Sequence, residues 1–226
     1  MKAMIFAAGK GERMLPLTAN TPKPLLKIDN KALIEYTIEQ LVSAGFTELI
    51  INVAYLGQQI INAMGNGQQF GANIIYSNEG NDPLETAGGI IQALPLLGNQ
   101  PFLAVSADIF CEFPYQNLRH FSLQSLAHLV MVKNPIHHPM GDFHLQQNGE
   151  LTLALHNRYT FSGIGVYQPA LFQGLAAGKR KLVTVLHQAI AQHQVYGDIY
   201  HGYWQDIGTI ERLQQANDFL LKNKCD

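Results

Sequence analysis

Apolar and polar positions along this chain follow two rhythms. Residues 3–8 are an apolar run that ends in Gly9, the pattern of a short buried strand running into a loop. Residues 32–44 place Leu33, Ile34, Ile38, Leu41 and Val42 at helical spacing before Gly45 stops them. Strands are then expected at 49–53, 72–76 and 102–105, with helices at 56–64 and 86–94 between them. This β-α-β-α-β-α-β alternation predicts an α/β sheet with helices on both faces. Ligands of such sheets sit at the carboxyl ends of the strands, where the loop after residue 8 and the stretch Ser106-Ala107-Asp108 both fall.

The second half has shorter apolar runs. Strands are expected at 127–132, 142–146, 150–155, 161–167 and 195–200, and helices at 183–193 and 209–222. Gln147-Asn148-Gly149 reads as a hairpin turn. No linker, repeat or low-complexity stretch divides the chain. The expectation is one domain over 1–226, made of two halves, 1–110 and 111–226, without independent cores.

Composition sharpens this picture. A chain of 226 residues with 47% hydrophobic content can bury a substantial core, and its net charge of −2 gives no general attraction to nucleic acid or anionic membranes. No apolar run approaches the roughly eighteen residues of a membrane span. The six residues between Lys2 and Gly9 are too few for a signal-peptide core. Cys111 and Cys225 lack metal or redox spacing and are expected to be free thiols in a cytoplasmic protein.

Charge is concentrated locally instead. Gly9 and Gly11 stand two apart in a loop that carries Lys10 and Arg13, with Lys23 and Lys27 close behind. Glycine lets the backbone approach a ligand, and a loop of this kind after a strand can cradle phosphate oxygens. It is not a P-loop, because no glycine here is followed at the required spacing by Lys and then Ser or Thr. It is not the dinucleotide fingerprint either, because Met14 stands where the third glycine belongs.

The string Ala7-Ala8-Gly9-Lys10-Gly11-Glu12-Arg13-Met14, with Pro16, Thr18 and Pro22-Lys23-Pro24, resembles the signature A-A-G-x-G-[ST]-R-[LM]-x-P-x-T…P-K-P of the sugar-1-phosphate nucleotidyltransferases. It departs from that signature at Glu12. Trp204-Gln205-Asp206-Ile207-Gly208-Thr209 resembles the W-x-D-[IV]-G-T segment of the same family. The resemblance implies a Rossmann-like three-layer sandwich around a mixed, mostly parallel sheet. It also implies a reaction in which a sugar 1-phosphate oxygen attacks the α-phosphate of a nucleoside triphosphate and pyrophosphate leaves.

The resemblance makes residues 1–110 the nucleotide-binding half and 111–226 the sugar-binding half, and together with the residue types it implies the following roles. Asp108, at the mouth of an apolar strand, and Asp206 are expected to hold Mg²⁺, which takes one or two carboxylates together with phosphate oxygens. Arg13, with its fork of donors, suits the departing phosphates, and Lys23 the α-phosphate and the attacking group. The nucleotide is expected against Ala7, Ala8, Gly9, Gly11, Arg13, Lys23, Glu79, Thr86 and Gly88. Glu85-Thr86-Ala87-Gly88-Gly89 is similar to the uridylyl- and guanylyl-transferring branches, and a pyrimidine, UTP ahead of dTTP, is the expectation.

For the sugar, Asp108, Asp142, Asn157, Ser162 and Gly163 are the expected contacts, the last two in a strand that resembles the one closing over the sugar. Many members carry an E-K-P tripeptide whose Lys binds the sugar phosphate. Here the place reads His156-Asn157-Arg158, so either Arg158 substitutes or Lys23 acts alone. The run from Asn134 to Phe143, with the short chain, resembles the N-acetylmuramate-1-phosphate uridylyltransferases of cell-wall recycling. Other sugars and nucleotides of the family are the alternative. A non-catalytic sensor would be expected to lack one of Arg13, Lys23, Asp108 or Asp206. A glycosyltransferase would present D-x-D, whereas Asp108 precedes Ile109 and Phe110. His137 and His138, adjacent in a Pro-rich loop, are expected at the surface or in hydrogen bonds. The partners expected are small molecules, with a monomer the preferred state.

Overall fold

The computed structural model describes residues 1–223. Cys225 lies outside the described residues. In chain order the elements are β1 (Ala3–Phe6), β2 (Lys27–Ile28), β3 (Lys31–Ala32), α1 (Leu33–Ser43), β4 (Glu48–Val53), α2 (Gly57–Met64), β5 (Asn73–Asn78), α3 (Glu85–Leu97), β6 (Phe102–Ser106) and β7 (Ile109–Cys111). They continue with α4 (Gln116–Arg119), β8 (Ala127–Val132), β9 (Phe143–Leu145), β10 (Leu151–Thr152), β11 (Arg158–Tyr167), α5 (Leu182–Ala191), β12 (Val195–Tyr200), β13 (Trp204–Asp206) and α6 (Ile210–Asn223).

Among the described residues, nine strands share one mixed sheet in the order β10-β9-β11-β6-β1-β4-β5, with β8 joining β11 to β12. Strands β6, β1, β4 and β5 run parallel. Strand β11 is antiparallel to β6. It therefore stitches the second half of the chain directly onto the first. Helices cover both faces, and the alternation of β1 decides which. Ala3 and Ile5 point into a cluster with Ile34, Ile38 and Leu41 of α1 and Ile60 and Met64 of α2. Met4, between them, points the other way, into a cluster with Ala87, Ile90 and Ala93 of α3 and Leu186 and Ile190 of α5.

Local chemistry accounts for the boundaries. The carboxylate of Glu35 accepts from the Ala32 N–H at 2.6 Å, satisfying a free donor where α1 begins. At the other end Gly45, with φ 87°, lets its N–H reach Val42 O and that of Phe46 reach Leu41 O. Helix α3 runs past Leu94, where its end was expected, despite Pro95. Leu97 is buried in the second cluster, and the Lys2 ammonium donates to Leu96 O at 2.5 Å, a cation at a helix C-terminus. The strand expected over 150–155 shrinks to β10, because Arg158 draws the carbonyls of Leu153 and Ala154 to its guanidinium.

A third cluster lies off the sheet. Met14, Leu26, Ile28, Leu33, Phe110, Ile207 and Ala216 pack together. Strand β13 pairs with β7, Asp206 standing opposite Ile109, and the Ile207 N–H donates to Asp108 O at 2.7 Å. This cluster therefore clamps the loop after β1 to the two segments that carry Asp108 and Asp206. Among the described residues no helix is long and apolar enough to cross a membrane. Cys111 is a free, buried thiol whose pKa burial pushes up.

Candidate active site

The loop after β1 makes one 3-10 turn, Glu12–Met14, rather than opening a long helix. Gly11 takes φ 68°, and a Cβ there would come within 2.9 Å of the Thr18 methyl group. The Thr18 hydroxyl donates back to Gly11 O at 2.9 Å. Met14, in the place of the third fingerprint glycine, is buried and anchors the turn in the third cluster. Its neighbour Arg13 is left exposed, with no hydrogen-bonding or ion-pair partner among the described residues.

Two adjoining cavities open around this loop. One, of about 700 Å³, is lined by the residue run from Ala7 to Met14, and by Lys23, Glu79, Thr86, Asp108 and Lys179. The other, of about 580 Å³, is lined by Asp142, Ser162, Gly163, His137, His138, Lys181 and Asp206. Phe6, Arg13, Glu85, Thr86, Ser106 and Asp108 line both, so they mark the junction. Two reactants seated in these cavities would meet beside Arg13 and Asp108. Glu85 enters this junction at φ 63°, a left-handed conformation that costs a residue with a side chain about 1–3 kcal/mol.

Two carboxylates at and beside the junction are paired in advance. The largely buried Lys23 ammonium donates to the Asp108 carboxylate. Asp206 accepts from the Arg212 guanidinium of α6 through both oxygens, each at 2.6 Å. That guanidinium also donates to His137 Nε2 at 2.6 Å, which makes Nε2 the acceptor. The 3.0 Å approach of Nε2 to Asp206 is then a contact and not a second hydrogen bond.

These residues fit a magnesium ion. The donors are two carboxylates, Asp108 in the turn before β7 and Asp206 on its partner strand β13, both lining the second cavity, the incomplete hard-oxygen set that Mg²⁺ fills with substrate phosphates and water. Among the described residues no group of three or more His, Cys, Asp or Glu side chains is placed to hold a metal without such help.

The sugar-side wall is shaped by an irregularity. Register between β11 and β8 shifts between Phe161 and Gly165, a β-bulge. Gly163 sits in it at φ 85°, where a Cβ would lie 2.9 Å from Ser106 Oγ. Ser162 is buried; its hydroxyl accepts from the Ile164 N–H at 3.1 Å, and its carbonyl accepts from Trp204 Nε1 at 2.9 Å. Asp142 accepts from the Phe161 N–H at 2.7 Å and faces His138 Nε2 at 3.1 Å.

Three expected contacts stand differently. Glu79 lines the first cavity, but its oxygens already serve Asn52 Nδ2 at 2.6 Å and the Leu84 N–H at 2.7 Å. Gly88 is used for packing, since a Cβ there would run into Gly178 O. Asn157 lines neither cavity; it forms the turn before β11 at φ 48°. Of the two alternatives for the missing lysine, Arg158 is ruled out as placed, because its guanidinium is committed to the carbonyls of Leu153 and Ala154. Sequence reasoning also passed over Lys179, Lys181 and Arg212. The only signal for the first two was the cation run Lys179-Arg180-Lys181, with no motif to place it.

Comparison with known proteins agrees with this geometry. A family model described as "Nucleotidyl transferase" matches residues 2–143. The N-acetylmuramate alpha-1-phosphate uridylyltransferase of Neisseria meningitidis serogroup B is 48% identical over 223 residues, 96% of each chain. Mannose-1-phosphate guanyltransferase beta-A of Xenopus laevis is 29% identical over 234 residues, 97% of this chain and 63% of its own length. Among solved structures, a Bacillus anthracis protein assigned as a glucose-1-phosphate thymidylyltransferase, in complex with sucrose, superposes with a TM-score of 0.84. It is 21% identical over 97% of this chain and 94% of its own, a likeness of fold. A glycine-rich, cationic loop at the end of β1, two carboxylates lining the adjoining cavities and the matches to these proteins lead to one assignment: the chain belongs to the nucleotidyl transferase family.

Proposed function

We propose that this enzyme transfers a uridylyl group from UTP to N-acetylmuramic acid α-1-phosphate, giving UDP-N-acetylmuramic acid and pyrophosphate. The observation that carries the reading is the junction. One cavity with a glycine-rich cationic loop and one with a bulged, polar wall share Arg13 and Asp108, as two phosphorylated reactants require. The choice of uridylyl and muramyl groups rests on the Neisseria relative named above.

In this reading an oxygen of the sugar phosphate forms a bond to the α-phosphorus. The bond from that phosphorus to the bridging oxygen breaks, and pyrophosphate leaves with the electron pair. The attacking oxygen is already ionised near neutral pH, so no general base is required. The difficulty is bringing two anions together, and catalysis is alignment plus electrostatic stabilisation. Lys23 reaches the junction from a nearly buried position and faces the α-phosphate and its attacker. Arg13 has its donors free for the leaving phosphates. Asp108 and Asp206 would hold Mg²⁺, which supplies charge neutralisation to the phosphates. Main-chain amides near Gly9 and Gly11 cradle the triphosphate.

Arg212 would fix the Asp206 carboxylate through its two 2.6 Å contacts. Because UTP is the donor, we place the reaction in the cytoplasm; a muramyl product belongs to cell-wall salvage, and a monomer suffices for it. The test is pyrophosphate release from UTP, dTTP, CTP and GTP against a panel of sugar 1-phosphates, with and without Mg²⁺. UTP with the muramyl compound should be preferred. Activity confined to glucose 1-phosphate would overturn the sugar, and no turnover with any pair would overturn the enzyme.

A further inference from the structure

The sugar-side cavity contains one cation that the mechanism does not use. His138 faces Asp142 at 3.1 Å, and His137 with Arg212 is committed around Asp206. Arg13 belongs to the junction. Lys181 also lines this cavity, and among the described residues it has no hydrogen-bonding or ion-pair partner. It lines the sugar side alone, whereas Lys179 lines the nucleotide side alone. Lys181 therefore stands away from the reacting phosphate, toward the substituents of the sugar ring.

Its place is fixed by the backbone beside it. The Arg180 N–H donates to Leu84 O at 2.9 Å, and Arg180 O accepts from the N–H groups of Ala87 and Gly88 at 3.0 and 3.1 Å. This holds the start of α5 against the start of α3, and Gly88 lacks a side chain where the two segments meet. Beyond Lys181 the wall turns apolar with Leu182, Val183 and Leu186. An ammonium next to an apolar wall complements a substituent that carries both a carboxylate and a methyl group.

Resting on the muramyl reading above, we propose that Lys181 is the specificity determinant for an acidic sugar: its ammonium receives the carboxylate of the lactyl ether. A neutral N-acetylhexosamine has no group to answer it, so Lys181 separates the two by charge. Lys181 is exposed in the open cavity, and a charge-assisted hydrogen bond formed as the bound sugar covers it is worth about ten- to a hundredfold in affinity.

The experiment compares Lys181→Met and Lys181→Arg with the unaltered enzyme at saturating UTP and Mg²⁺. The readout is the ratio of kcat/KM for N-acetylmuramic acid 1-phosphate to that for N-acetylglucosamine 1-phosphate, which has the same ring without the lactyl ether. Lys181→Met should lower the ratio about ten- to a hundredfold, mainly through KM of the acidic sugar. Lys181→Arg should keep most of it. Calorimetric affinities for UDP-N-acetylmuramic acid and UDP-N-acetylglucosamine give the same ratio if turnover of the neutral sugar is too slow to measure. A ratio that Lys181→Met leaves unchanged overturns the proposal, including the case where both sugars lose equally because Lys181 holds their common phosphate. If the unaltered enzyme shows no preference for the acidic sugar, the muramyl reading fails first, whatever the variants do.

Discussion

Lys23 and Asp108 show how single residues are set before any ligand arrives. Each side chain satisfies the other, so the ammonium stays at the junction although nearly buried. On the role proposed for it, Lys23→Ala removes a positive charge from the reacting phosphates and should lower kcat by about a hundredfold or more, measured as pyrophosphate release at saturating substrates. Gly163 carries a different constraint. At φ 85° any side chain is strained, and a Cβ would also press on Ser106 Oγ at 2.9 Å. Gly163→Ala should destabilise the fold by about 1–2 kcal/mol in urea unfolding and raise KM for the sugar. At this scale the sequence was legible in the placing of four charged residues: Arg13 and Asp108 line both cavities, Lys23 lines the first and Asp206 the second. It was not legible at Asn157 and Arg158. There the direction of a side chain depends on which carbonyls the neighbouring loop leaves open.

Between the residues and the whole lies a connection no motif announced. Asn52, buried at the end of β4, accepts from the Ala7 N–H at 2.9 Å and donates to Glu79 at 2.6 Å. Glu79 in turn accepts from the Leu84 N–H, so the ends of β1, β4 and β5 and the start of α3 are tied together. Asn52→Ala would leave the Ala7 amide and one Glu79 oxygen unpaired. The expected cost is about 1–3 kcal/mol in chemical denaturation, with weaker nucleotide binding because the loop proposed to hold the triphosphate begins at Ala7. Alternating elements in the first half were legible from periodicity, since buried strands and amphipathic helices leave unmistakable apolar patterns there. The pairing of β7 with β13 was not. Each is a three-residue strand, too short to show a period, and the two stand far apart in the sequence. The expected glycine approach to a base at Gly88 fails for a related reason. A glycine gives the same signal whether a ligand or, as here, another backbone segment comes close.

Across the whole molecule, both halves share one sheet, and a titratable group at its far side reports on their union. His128 of β8 is buried against Phe121, with Nε2 3.0 Å from the exposed carboxylate of Asp198 on β12. Burial lowers its pKa from the ordinary 6.5 and outweighs the carboxylate, which water screens. A depressed pKa means that the unfolded chain binds the proton more readily than the folded one. Stability should therefore be intact above pH 6.5 and fall as pH drops below it toward the folded-state value. Urea titrations between pH 7.5 and 5, taken as about that range, should show this slope, and His128→Gln should flatten it.

The most direct test of the central claim, that the junction joins a nucleotide to a sugar phosphate, is the product stoichiometry. Enzyme, Mg²⁺, UTP and N-acetylmuramic acid 1-phosphate should yield pyrophosphate and UDP-N-acetylmuramic acid one to one, and a chelator should stop both together. Release of inorganic phosphate with UDP, or pyrophosphate formed without the nucleotide sugar, would contradict it.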